Sequence, residues 1–157
     1  MGSAAYWLAL KAVPGIGNRL YRRLIDRFGD PENVFSTPKN RLMEVEGVSG
    51  RLASAISQFR IPHEVYEDLA YVRKRGFKII TFNDPEYPSY LRQIHDPPPF
   101  LYVYGNLQGD NLNIAVVGSR IPTPYGLSIT YDLCEDLVCL GFTVVSGFAR
   151  GIDTAAH

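Results

Sequence analysis

"LNIAVVGSRIPTPYGLSITYDLCEDLVCLGFTVVSG", residues 112–147, decides the fold. It opens with "LNIAVVGS", apolar almost throughout, as a strand buried on both faces should be. "YGLSITYDLCEDLVCLG" then has the pattern of a helix of about fifteen residues, with Leu127, Tyr131, Cys134 and Val138 on one face and Gly141 as its C-terminal stop. "FTVVSG" is the next buried strand, and "ARGIDTAAH" begins a further helix. Strand, helix, strand and helix start together open a doubly wound α/β sheet.

Upstream, Pro62 can open a helix that runs to Arg75, and "GFKIITF" reads as a strand. "DPEYPSYLRQI" reads as a turn and a short helix beginning near Pro88; "HDPPP" forces an extended connector, after which "FLYVYGN" is a strand. The step from helix through Gly-Phe into a strand occurs twice, at Gly76-Phe77 and Gly141-Phe142.

Before residue 61 the pattern is helical. In "GNRLYRRLIDRF", Leu20, Tyr21, Leu24, Ile25 and Phe28 recur at helical spacing, with Arg19, Arg22, Arg23 and Arg27 on the other side. Gly29 and Pro31 end that helix, "STPKNRLMEVEGV" starts a second, and "RLASAISQF" makes a third with Leu52, Ala55, Ile56 and Phe59 inward. A faint internal repeat joins "AVPGIGNRLYRRL" to "EVEGVSGRLASAI"; each places an apolar residue, a Gly, an apolar residue and a small residue before a helix. That is the pattern of a helix-hairpin-helix. Gly15, Gly17 and Arg19 are then candidates for a second DNA contact, with backbone N–H groups holding a phosphate; the alternative is that "PGIG" only turns the chain between packed helices.

Composition sets the limits on function. Of the 157 residues 46% are hydrophobic and 20% charged, so a packed core is expected rather than disorder. The first apolar stretch is broken by Lys11 and Pro14, and no later one approaches the ~20 residues of a membrane span. Cys134 and Cys139 sit five apart in one helix, which favours neither a disulfide nor a metal site. With three scattered histidines zinc is not expected, nor is any other cofactor, and the reading is a reduced, cytoplasmic protein. The net charge of zero hides an asymmetry: residues 1–60 hold nine Lys and Arg against five Asp and Glu, and residues 61–157 hold seven against eleven. The split suggests two units, the first mildly basic. Any nucleic-acid site in the second must be focused on a few residues.

Ligands of doubly wound sheets bind at the carboxyl ends of the strands. Two glycine-bearing loops stand there, "VVGSRIPTPYG" with Gly118, Ser119 and Arg120, and "SGFARGID" with Arg150 between Ala149 and Gly151. Glycines let backbone approach a phosphate closely, and an arginine adds a bidentate donor. Either loop alone reads as a tight strand-to-helix turn, with Asp153 as a helix N-cap. Two such loops at one sheet edge point to phosphate binding if the two strands are neighbours. Neither G-x-x-x-x-G-K-[ST] nor G-x-G-x-x-G occurs, and no convincing Ser/His/Asp set stands out; His157 could cap or pack as readily as catalyse. A phosphate-bearing ligand without chemistry is the outcome.

"PGIG" at 14–17, "FNDPEYPSYLRQIHDPPPFLYVYGN" at 82–106, "AVVGSR" at 115–120 and "SGFARGIDTAAH" at 146–157 together resemble the DNA-processing protein A (DprA/Smf) family over essentially the whole chain. The resemblance implies a helical helix-hairpin-helix or sterile-alpha-motif-like domain over 1–61, then an extended Rossmann-like DNA-binding domain over 62–157, truncated at its C-terminus. It implies a recombination mediator that binds single-stranded DNA, protects it and loads the RecA recombinase in natural transformation, with no enzymatic activity; a homodimer or other self-association through the open sheet edge is expected. The DNA-binding positions carried over are Gly118, Ser119, Arg120, Ser146, Gly147, Ala149, Arg150, Gly151 and Asp153. Two rival readings stand beside it. One is a Rossmann-like nucleotide-processing enzyme of the phosphoribohydrolase type, whose Gly-Gly-x-Gly-Thr loop would lie past residue 157. The other is a helical scaffold without a ligand.

Overall fold

The computed structural model describes residues 3–107 and 112–157. They fall into two compact units that divide between Leu107 and Gln108.

In the first unit, helix α1 (Ser3–Ala12) is apolar all round, and Ala5, Trp7, Leu8, Ala9 and Leu10 are all buried. Helix α2 (Asn18–Phe28) buries Tyr21, Leu24 and Ile25, as its spacing predicts, and stops at Gly29, whose φ of 90° suits only glycine well. Asp30 caps α3 (Pro31–Ser36) by accepting from the Asn33 N–H at 2.9 Å, with Pro31 in the first turn. Helices α4 (Lys39–Leu42) and α5 (Gly50–Gln58) complete the helical set. Trp7, Leu10, Leu24, Val34, Leu42, Ala53 and Ile56 form its centre. The Tyr21 hydroxyl, pushed well above its ordinary pKa by burial, donates to the Trp7 carbonyl at 3.0 Å.

The internal repeat is present in the backbone. Gly15 and Gly47 have φ of 94° and 95°. Two residues on, Gly17 and Ser49 stand in the same extended conformation as N-caps of α2 and α5. Val13 and Ile16 in one copy, and Val45 and Val48 in the other, are buried in the same cluster. Only the second copy has a side-chain cap, the Leu52 N–H donating to Ser49 Oγ at 3.2 Å.

The break between compact units does not fall at the expected 61/62 boundary. Helix α6 (His63–Lys74) packs Val65 and Leu69 against Ala5 and Leu8 of α1. Strands β1 (Phe77–Thr81) and β2 (Phe100–Tyr104) pair antiparallel, Phe77 opposite Tyr104 and Thr81 opposite Phe100, and Ile79 and Phe100 join that same cluster. Composition changes at 61, but the apolar contacts continue across it. Between the strands the chain turns at Asp84, whose Oδ2 accepts from the Thr81 N–H at 2.6 Å and from its hydroxyl at 2.8 Å. The short helix α7 (Ser89–Arg92) follows Pro88, and the Tyr87 hydroxyl donates to the Pro98 carbonyl at 2.8 Å.

The second unit is a parallel strand–helix–strand: β3 (Leu112–Ala115), α8 (Pro124–Cys139), β4 (Phe142–Val145) and a last turn of helix, α9 (Ile152–Ala155). Leu112 lies opposite Phe142 and Ala115 opposite Val145, so the molecule is α/β with a Rossmann-like parallel pair, as expected. Two details differ from the expectation. The strands are short and half-buried or exposed; among the described residues α8 packs beside β4, and α9 packs on α8. And α8 turns Thr130 and Cys134 inward while Tyr131 and Val138 are exposed. A threonine can take the inward position because its hydroxyl donates to the Gly126 carbonyl one turn back, at 2.7 Å.

Candidate nucleic-acid interface

Since β3 and β4 are hydrogen-bonded neighbours, the loops leaving their carboxyl ends lie side by side. The Val116 N–H still donates to the Val145 carbonyl at 3.0 Å, and beyond that point the loops are locked to each other. The Ile152 N–H donates to the Ser119 carbonyl at 3.1 Å, and the Gly118 N–H donates to Asp153 Oδ1 at 3.3 Å. The first loop ends in a capped helix start, with Thr123 Oγ1 accepting from the Gly126 N–H at 3.1 Å and Pro124 in the first turn.

The glycines are there because the loops nearly touch. Gly151 has φ of 88°, and a Cβ on it would stand 2.2 Å from the Ser119 carbonyl oxygen. A Cβ on Gly118 would meet Ile152 at 2.8 Å, and one on Gly147 would meet Asp153 Oδ2 at 2.9 Å. Phe148, between them, is the one described non-glycine residue with positive φ, 54°, and its ring is 72% exposed. Backbone strain of this kind concentrates at functional sites.

Arg120 and Arg150 line one open cavity of about 450 Å³. Pro122, Leu127, Tyr131 and Ala155 give it apolar walls, and Gly151 and Thr154 complete the rim. No carboxylate lines it, and neither arginine has a hydrogen bond or ion pair among the described residues. Two guanidiniums lining one cavity with a tyrosine in its wall have the chemistry to hold an anion attached to a planar group.

Of the nine positions carried over from the family resemblance, Arg120, Arg150 and Gly151 face this cavity. Ser119 and Ala149 work through their carbonyls, which accept from Ile152 N–H and from Thr154 Oγ1 at 2.6 Å. Asp153 is buried and does not cap α9; Gly151 stands at that N-cap, and the Asp153 carboxylate instead ties the Gly118 backbone into place. Ser146 Oγ is buried without a hydrogen-bond partner among the described residues. His157 packs edge-on against Phe148, ring centres 4.9 Å apart. Tyr131 is the cavity residue that the spacing argument missed as a site residue, because its apolar neighbours made it look like core.

On the first unit, Gly15 and Gly17 lie at the exposed turn before α2, and Arg19 is exposed in the first turn of that helix. Three of the four arginines on that helix are paired, Arg22 with Asp26 at 2.8 Å, Arg23 with Glu46 at 3.2 Å and Arg27 with Glu44 at 3.1 Å. Both cysteines are free, Cys134 buried and Cys139 exposed. Among the described residues no helix is long and apolar enough to cross a membrane, and no His, Cys, Asp and Glu cluster could hold a metal ion.

A family model for the DNA recombination-mediator protein A matches residues 78–157. Protein Smf of Synechocystis sp. is 37% identical over 158 residues, covering 98% of this chain and 40% of that protein. DNA processing protein DprA of Bacillus subtilis is 36% identical over 133 residues, covering 82% of this chain and 43% of that one. The X-ray structure of DprA from Streptococcus pneumoniae matches all of this chain and 53% of its own, at 26% identity and a TM-score of 0.65. The chain thus spans less than half the length of these curated relatives.

Proposed function

This chain belongs to the DNA recombination-mediator protein A family, and on that premise we propose that it binds single-stranded DNA as part of a recombination mediator. The observation that carries this reading is the convergence of Arg120 and Arg150, from two different loops, on one cavity whose lining holds no carboxylate. A phosphodiester is the ligand such a pair suits. Tyr131 offers a face for a base, which single-strand binders use without regard to sequence. Gly118, Ser119, Ser146, Gly147, Ala149, Gly151 and Asp153 serve by holding the loops at the spacing the arginines need. The protein so read is not an enzyme, works in the cytoplasm, self-associates as a homodimer, protects incoming strands and passes them to the RecA recombinase during natural transformation.

The test is titration of a labelled oligothymidine and of a free nucleoside monophosphate against the 157-residue chain and its Arg120→Ala and Arg150→Ala variants. Each variant should lose ~1–3 kcal/mol of oligonucleotide affinity and about one released counterion from the salt slope. Unchanged affinity and slope in both, with folding intact, would sink the assignment. Nucleoside monophosphate binding as tight as the oligonucleotide's would instead favour a nucleotide-processing enzyme.

A further inference from the structure

The first unit has a second arginine-lined groove that the reading above leaves unused. It has a volume of about 370 Å³, and Arg19, Arg22 and Arg23 line it from α2 while Arg92 and His95 line it from the end of α7 and beyond. Segments about seventy residues apart in the chain thus bring four guanidiniums to one opening.

The charges in this groove are unevenly satisfied. Arg22 has Asp26 and Arg23 has Glu46. The other lining acid, Asp96, accepts from Asn18 Nδ2 at 3.3 Å, and Asn18 Oδ1 in turn accepts from the Lys11 ammonium. Among the described residues Arg92 meets neutral oxygens alone, donating to the carbonyls of Asp84 and Tyr87. Arg19 has no hydrogen bond or ion pair among the described residues. Arg22 and Arg92 also share one ring, their guanidinium carbons 4.1 and 5.0 Å from the Phe82 centre. Like charges held beside one another on a fixed ring repel, and among the described residues Asp26 offsets Arg22 while Arg92 has no carboxylate of its own. Phe82 and the carbonyls fix Arg92 so that little side-chain freedom is lost when a ligand arrives.

We propose that this groove is a second phosphate-binding site, formed by Arg19 and Arg92 with Arg22 and Arg23 at its sides, and that it takes the phosphodiester backbone of a nucleic-acid strand. The planar fork of arginine fits phosphate oxygens two at a time, and an open groove with repeated guanidiniums follows a strand rather than enclosing a small ion. The site does not depend on the Arg120 and Arg150 cavity; only the choice of an oligonucleotide as probe rests on the DNA reading.

Arg19 is the residue to change, since it is exposed and holds nothing in place. The full chain and an Arg120→Ala/Arg150→Ala double variant are each compared with and without Arg19→Glu, by anisotropy of a labelled oligothymidine across salt concentrations. Arg19→Glu should lower affinity roughly three- to tenfold in both backgrounds and flatten the salt slope by about one, with the thermal midpoint held. The groove is overturned if Arg19→Glu changes neither affinity nor slope in either background. Competition by polyglutamate as effective as by unlabelled oligonucleotide, at equal charge, would assign the groove to an acidic protein and equally overturn the proposal.

Discussion

Gly17 and Ser49 hold one place in two copies of a turn, and only Ser49 supplies a side-chain cap. At Gly17 φ is −81° and a Cβ would meet nothing within 4 Å, so a serine there can adopt the conformation that Ser49 already has. Gly17→Ser should therefore stabilise the first unit by a few tenths of a kcal/mol. Gly15, at φ 94°, allows no such change, and Gly15→Ala should cost about 1–2 kcal/mol. Urea denaturation of the two variants should move the midpoint in opposite directions; shifts of the same sign would mean the two turns are not equivalent. Gly151 is the stricter case. Its positive φ and the 2.2 Å approach of the Ser119 oxygen leave an added methyl no room, so Gly151→Ala must part the two loops. The expected loss exceeds about 3 kcal/mol. Hydrogen exchange should show it first at the amides of Gly118 and Ile152, which bridge the loops.

Helix α8 shows what could be read from the sequence and what could not. Its limits were legible, because Thr123-Pro124 and Gly141 are chemical start and stop signals that act locally. Its buried face was misjudged by about one residue, since Thr130 satisfies its own hydroxyl within the helix and can replace an apolar residue against the core. The same limit applies to α1, whose all-round apolar surface has no face for periodicity to find. The convergence of Arg120 and Arg150 was legible only as a condition, that β3 and β4 be neighbours; their register meets it. The turn of α8 has a consequence for binding, because it brings Tyr131 to the cavity wall at 58% exposure. Tyr131→Ala should weaken oligothymidine binding by ~1–3 kcal/mol and Tyr131→Phe should largely restore it. Tyr125→Ala, on the same helix but outside the cavity, should leave affinity as it was. Equal losses at both tyrosines, read by anisotropy, would remove the stacking role.

Across the molecule, the two units differ in how fully they bury their apolar residues. The first places Trp7, Tyr21, Leu10, Leu24 and Ile56 almost wholly out of contact with water. The second leaves Val117, Ile129, Leu133, Val138, Leu140 and Val145 exposed, and each of its two strands is hydrogen-bonded on one side only among the described residues. Exposed apolar surface beside an unpaired strand edge is a template for another chain; the β1–β2 sheet of the first unit has open edges too, but that unit keeps its large core side chains buried. The 157-residue chain should accordingly associate through its second unit, sedimenting above its 17.6 kDa monomer mass as concentration rises. Val145→Lys puts a charge at the end of β4, and Leu133→Lys puts one on the exposed side of α8; either should return the chain toward the monomer. Met43→Lys, an equally exposed apolar site on the first unit, should leave association unchanged and serves as the control for added charge. If all three variants sediment like the parent, association does not run through the second unit, and a monomer at every concentration would show that these exposed side chains are not an interface.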